Sequence, residues 1–262
     1  LNFELLFLLF VSGLFSGFLA GLLGIGGGII LVPMFWFLFS YLKVPGELTL
    51  KLSIGTSLAV ITVITLFTSG FHIFKGKLKK EELLKIIIWI VPGIVLGVFS
   101  SHLLPAHILK KLFGVVLLAV GIRTLKGVGS VRVKFSEKVL TPVAATLSAF
   151  LSSLLGIGGG IIINSLLFSL SKIKADKVVA LASVVSFFNA TLGSLMYMLF
   201  PSVEVLHWQV GYVYFPAVIF VSLGSIPGSR IGLSLLHKIS HQLLKKLFAI
   251  LLIVVAIKIL FI

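Results

Sequence analysis

Residues 22–30 read LLGIGGGII, and residues 154–162 read LLGIGGGII again. Both copies stand inside strongly apolar sequence. Glycines are poor helix formers, each costing about 1 kcal/mol against alanine in a helix interior. A chain that breaks two apolar segments in the same way, at an offset of 132 residues, reads as two copies of one unit. Two further matches lie at an offset of 135: KKLFGVVLLAVGIRTL from Lys110 aligns with KKLFAILLIVVAIKIL from Lys245, and PGIVLG from Pro92 with PGSRIG from Pro227. The expected organisation is a first transmembrane repeat over 1–125, a polar linker over 126–138 and a second repeat over 139–262.

Composition sets the class. Of the 262 residues, 59% are hydrophobic and 11% charged, whereas an ordinary soluble domain is about 25% charged. Too few polar residues remain to coat a soluble core, so the chain is read as a polytopic membrane protein in contact with a lipid bilayer. Residues 1–23 have no basic start and run straight into the first glycine loop, so they read as a span and not as a cleaved signal. The net charge of +15 does not indicate nucleic acid, because the basic residues cluster between apolar runs, as membrane topology requires. There is no Cys, which excludes disulfides, thiol chemistry and thiolate metal sites. No acidic pair, His-Glu motif or nucleophile–base spacing points to catalysis, so no catalytic residue, metal or cofactor is expected. His72, His102 and His237 mark segment ends.

Each unit carries five apolar segments: 4–23, 29–41, 48–74, 83–104 and 107–125, then 139–155, 161–171, 177–200, 212–236 and 241–262. The second and seventh are short. Thirteen residues of helix span about 20 Å, against about 30 Å of hydrocarbon. Positive charge decides whether they cross. If all ten cross with the linker in the cytoplasm, Lys43, Lys51, Lys110, Lys111 and Lys258 lie outside, Arg230 falls within a span and the other sixteen Lys and Arg lie inside. If the short segments re-enter, the split is eleven against ten and the positive-inside bias disappears. Five crossings per unit turn the second unit upside down. The expected fold class is therefore all-α, two inverted repeats with short helices after glycine loops, and both termini outside. Single cysteines at Lys79 and Glu204 should then label from opposite sides.

A short helix completes a crossing if its loop dips into the membrane, and irregular backbone at that depth survives only against protein or water. Glycines let such a loop turn and aim free N–H groups. The following helix adds its positive N-terminal end, which favours anions. The plainer alternative is that the glycines only permit close helix packing. Segments three and eight add small polar groups on shared faces: Ser53, Thr56 and Ser57, and Ser183, Ser186, Asn189 and Gly193. Asn164, one turn past the second loop, corresponds to Val32 and breaks the repeat. Arg230, one turn after Pro227, either meets an anion or snorkels to the surface.

The paired GLLGIGGGIILVP and SLLGIGGGIII, the GTS of residues 55–57, and the PG…G and KKLF runs resemble the TauE/SafE family of sulfite exporters. The resemblance covers nearly the whole chain. It implies an inner-membrane transporter of sulfur-containing anions such as sulfite, sulfoacetate or related organosulfonates. Carried over by position, its site residues are Gly26, Gly27 and Gly28, Thr56 and Ser57, and Gly158, Gly159 and Gly160. The second unit departs from the pattern, with ASVVS over 182–186 where the first has GTS, and Ser165 in place of Pro33. Together with Asn164, Ser183, Ser186, Asn189 and Arg230, these residues form the candidate substrate site for a small anion carried by alternating access. An anion channel and a non-transporting membrane scaffold are the alternatives. The sequence leaves the oligomeric state, the direction and the coupling ion open.

Overall fold

A computed structural model describes residues 3–23, 28–74, 80–126, 137–170, 173, 175–236 and 241–261. The protein is an all-α multi-pass membrane protein. Its helices among the described residues are α1 (Phe3–Leu23), α2 (Gly28–Tyr41), α3 (Gly46–Phe74), α4 (Lys80–Leu103), α5 (Ala106–Lys126), α6 (Glu137–Leu155), α7 (Gly160–Leu170), α8 (Ala175–Leu199), α9 (Phe215–Leu236) and α10 (His241–Phe261). Among the described residues, four apolar stretches are long enough to cross a membrane: Gly46–Leu66, Glu81–Leu103, Lys177–Leu199 and Phe215–Gly232. α2 and α7 are short, at 14 and 11 residues, or about 21 and 16 Å.

Local chemistry sets the boundaries. α2 ends where Lys43 turns left-handed (φ 58°) and Val44 N–H donates to the Phe39 carbonyl. Pro45 then opens α3, accepting from Leu48 and Thr49. Pro105 separates α4 from α5 in the same way. The acids Glu81 and Glu82 stand in the first turn of α4, where they complement the helix dipole.

Segment nine starts later than the sequence suggests. Residues 209–214 form an antiparallel hairpin, β1 (Gln209–Val210) and β2 (Val213–Tyr214), closed at Gly211 (φ 53°). It seats on the end of α8 and against α3 nearly three turns from its start: Tyr212 N–H donates to the Tyr197 carbonyl at 2.9 Å, and Tyr214 N–H to Thr56 Oγ1 at 3.1 Å.

α3 and α8 form the centre. Their apolar stretches are 72% and 61% buried, against 33% for α4 and 44% for α9. They run antiparallel, since Gly55 lies against Tyr197 while Leu58, one turn on, lies against Gly193, one turn back. Around them α1 packs on α9, α4 on α6, and α5 on α10. Glycines fix the closest of these pairs. Gly13 and Gly17 of α1 meet the backbone of Val221 and Ser225, and Gly224 and Gly228 of α9 meet that of Phe10 and Leu14. Each helix thus offers the other a two-glycine groove, which allows backbone-to-backbone contact in a membrane.

Candidate functional site

The second glycine loop lies deep in the protein. Gly156, Gly158 and Gly159 are all left-handed, with φ of +74°, +85° and +79°, a conformation open to glycine at no steric cost. α6 closes with Gly156 N–H and Ile157 N–H both donating to the Ser152 carbonyl. α7 starts at Gly160, and the Gly159 carbonyl accepts from Ile163 N–H at 3.0 Å. Among the described residues, nothing accepts from the N–H groups of Gly158, Gly159, Gly160, Ile161 or Ile162. These are the orphan donors that every helix start leaves. Here they are held halfway along the central helices: Gly156 lies against Ile54, and Gly158 against Ile61 and Ser186.

Side chains from three helices surround this start. Ser186 of α8 is 8% exposed, and its hydroxyl lies 3.2 Å from where a Gly158 Cβ would stand. Asn189 is fully buried; its Oδ1 accepts from Ser153 Oγ at 2.9 Å and its Nδ2 donates to Ser152 Oγ at 2.6 Å. Both serines belong to α6. A Gly159 Cβ would stand 3.6 Å from Asn189 Nδ2. Ser57 of α3 donates to the Gly156 carbonyl at 2.8 Å and ties the loop to the central helix. Tyr197 donates to the Ser153 carbonyl at 3.1 Å and is bonded to Ser101 of α4.

The start of α2 meets the second loop at this point. Gly28, the first residue of α2, is packed on the Ile157 carbonyl of the second loop, with Ile61 Cδ1 beside it. The starts of α2 and α7 are therefore joined at the centre of the protein.

The structure brings together Gly28, Ser57, Gly158, Gly159, Gly160, Ser186 and Asn189 among the sequence candidates. Gly26 and Gly27 lie outside the described residues. Thr56 is buried at the same level, but its oxygen is engaged by Tyr214 N–H. Ser183 donates to its own helix at Val179 and faces a more open side. Asn164 follows Gly160 by one turn, and its Oδ1 is buried without a partner. Arg230 is exposed on α9 and is joined to none of these groups. Ser152, Ser153 and Tyr197 were not among the candidates. The serine pair immediately before the loop was the available signal.

The electrostatics follow from composition. The buried polar side chains among the described residues are Ser, Thr, Asn and Gln, with no Asp, Glu, Lys or Arg. The loop presents N–H and O–H donors without a formal charge. Such a set solvates an anion by dipoles, which act strongly where water is excluded.

Apolar helices around a buried, uncharged, donor-bearing centre define a multi-pass membrane protein of the transporter class. The chain belongs to the sulfite exporter TauE/SafE family, whose sequence profile matches residues 9–259. This is a family of membrane transporters of small anions, not of enzymes. Its relatives include a probable membrane transporter protein of Methanocaldococcus jannaschii, 32% identical over 94% of this chain and 92% of its own. Another, from Haemophilus influenzae, is 30% identical over 97% of this chain and 98% of its own. The YunE probable membrane transporter protein of Bacillus subtilis is 24% identical over 95% and 94%. No solved structure matches the chain.

Proposed function

We propose that the protein is a secondary transporter of a small sulfur-containing oxyanion, such as sulfite, sulfoacetate or a related organosulfonate, and that the anion binds at the start of α7. One observation carries this reading: the start of α7, with five N–H groups that have no acceptor among the described residues, lies beside Ser186 and Asn189 at mid-depth, where no described carboxylate is buried. Donors without acceptors suit a fully ionised oxyanion, and the absence of formal charge lets it leave as well as enter. The α2 start, packed on the same loop, supplies the second half of the site.

Alternating access rests on two inverted repeats. The helix pairing supports this, because exchanging α1–α5 with α6–α10 turns α1–α9 into α6–α4 and maps α3–α8 and α5–α10 onto themselves. The antiparallel course of α3 and α8 is what a two-fold axis in the membrane plane requires. Charge placement agrees. Lys177, at the start of α8, is paired with Glu82, at the start of α4, at 2.6 Å, which puts the starts of these two helices together at one end. At the other end Lys51 of α3 donates to the His102 carbonyl at 2.9 Å, and His102 stacks on Phe200.

Purified protein should be stabilised against heat by sulfite, sulfoacetate or sulfate and not by the matching cations. A ligand at a hundred times its Kd adds about 2.7 kcal/mol. Stabilisation by cations alone would overturn the reading, and currents without saturation or coupling would make the protein a channel. The topology is tested separately. Cysteines at Glu81 and Glu204, both exposed, should label from opposite sides of the membrane. Labelling from one side would mean parallel halves. The chain has no native Cys to interfere.

A further inference from the structure

We propose that Ser152 and Ser186 are the hydroxyl donors of the anion site at the α7 start, and that Asn189 aims the Ser152 proton at the ligand. The proposal rests on the reading that the anion binds there. It adds the class of head group: three oxygens without a proton, as on a sulfonate, and not a carboxylate or a halide.

Buried serines in this protein usually give their proton to their own helix. Ser16 donates to the Gly13 carbonyl, Ser53 to Thr49, Ser148 to Ala145 and Ser225 to Val221. Ser152 and Ser186 do not: neither hydroxyl finds an acceptor among the described residues. Ser152 is fully buried and Ser186 is 8% exposed, so an unused donor on either costs stability unless a ligand takes it. At Ser152 the free proton has a direction. Its Oγ accepts from Asn189 Nδ2 at 2.6 Å, and a hydroxyl that accepts along one line holds its own proton off that line. The amide is set from its other end, where Ser153 Oγ donates to Asn189 Oδ1 at 2.9 Å. The chain of bonds therefore runs one way, from Ser153 through Asn189 to Ser152, and finishes on an O–H. It finishes at the loop, with Ser152 Oγ 3.6 Å from where a Gly159 Cβ would stand.

The glycines beside these hydroxyls differ from those elsewhere. A Cβ at Gly13, Gly17 or Gly28 would lie 2.3, 2.3 or 2.1 Å from a carbonyl oxygen, so close packing accounts for them. At Gly159 and Gly160 the nearest atoms stand at 3.6 and 3.5 Å. Gly159 is required by its φ of +79°. Gly160 has neither a left-handed φ nor a tight neighbour. Its missing side chain leaves room next to Ser186, whose Oγ is 3.6 Å from the Cβ position. Donors thus come from three elements: N–H groups of the α7 start, Ser152 of α6 and Ser186 of α8. A head with three bare oxygens can give one to each. A carboxylate has two oxygens in one plane, a halide is a single atom, and either leaves a buried donor unmet, which costs affinity.

Isothermal titration calorimetry of the purified protein tests this with sodium methanesulfonate, acetate and chloride. The wild type should bind methanesulfonate about tenfold more tightly than acetate or chloride. Ser152→Ala should weaken methanesulfonate about tenfold, the loss expected of one hydrogen bond to a charged group, at a near-native melting temperature. Its lead over acetate should shrink as well, which a loss of packing alone would not produce. Ser152→Cys keeps the shape and offers a weaker donor, so it repeats the test where alanine disturbs the fold. Ser186→Ala is the matching change on α8 and should act in the same way. If both Ser152 variants bind methanesulfonate as the wild type does while Asn189→Asp does not, the role of Ser152 is overturned and the site stays where it is. If Asn189→Asp also binds it undiminished, the underlying reading falls with the proposal. Acetate bound as tightly as methanesulfonate would overturn the three-oxygen head.

Discussion

Asn189→Asp should abolish anion binding and transport while leaving the protein folded. The substitution is isosteric, and the hydrogen bonds can be remade, because Ser152 and Ser153 can both donate to a carboxylate where Asn189 now accepts one bond and donates one. What changes is the charge at the α7 start. Two like charges about 4 Å apart at an effective dielectric of 20 repel by about 4 kcal/mol, close to a thousandfold in affinity. Equilibrium binding and proteoliposome flux check this on protein of near-native melting temperature. Affinity within a few-fold of the wild type would place the anion away from Asn189 and move the search to the first loop.

Gly28→Ala and Gly160→Ala should fail in opposite ways, although the two glycines occupy equivalent places 132 residues apart. A Cβ at Gly28 would overlap the Ile157 carbonyl and reach within 2.8 Å of Ile61 Cδ1. Backbone cannot yield as a side-chain tip can, so this variant should lose about 3 kcal/mol of stability, the upper end for an overpacked core. At Gly160 the same methyl group finds ordinary contacts, 3.5 Å from the Ala182 carbonyl and from Ser186 Cβ. Its φ is not left-handed, and alanine is the better helix former, so stability should hold. The methyl group does crowd the donors that face Ser186. Losing one or two charge-assisted hydrogen bonds should weaken binding by about tenfold to a hundredfold. Melting temperature and affinity measured together separate the cases. A destabilised Gly160→Ala with unchanged affinity would make the second loop a packing device only. Gly159→Ala is the less clean probe, because its φ of +79° strains any side chain.

The helices were legible because apolar run length is a local property. All ten apolar segments appear as helices, most with ends within three residues of those read from the sequence. The hairpin was not legible, because Val210, Tyr212, Val213 and Tyr214 are as apolar as a span and merge with α9 in any count of hydrophobicity. Its signals were Gly211 and the short aromatic alternation around it. The glycine loops and the polar face of α8 were visible, since motif and helical periodicity are both written locally. Their partners were not. Nothing in the order of residues says that Asn189 meets Ser152 and Ser153, 37 and 36 positions away, or that Thr56 meets Tyr214, 158 away. Arg230 stood out by composition, but an arginine's role depends on the face it occupies, and this one is exposed.

The pairing of α1 with α9 also governs how the protein is made. Phe3 is synthesised more than two hundred residues before Phe215, an interval on the order of ten to forty seconds at ordinary translation rates. Throughout that time Gly13 and Gly17 lie open to lipid, with no backbone to fill their groove. α4 waits for α6 in the same way, though for less long. α1 must therefore stay free to move in the bilayer until α9 arrives. A ribosome that stops anywhere before residue 215 releases a chain whose first helix lacks the α9 backbone that its two glycines are shaped to meet.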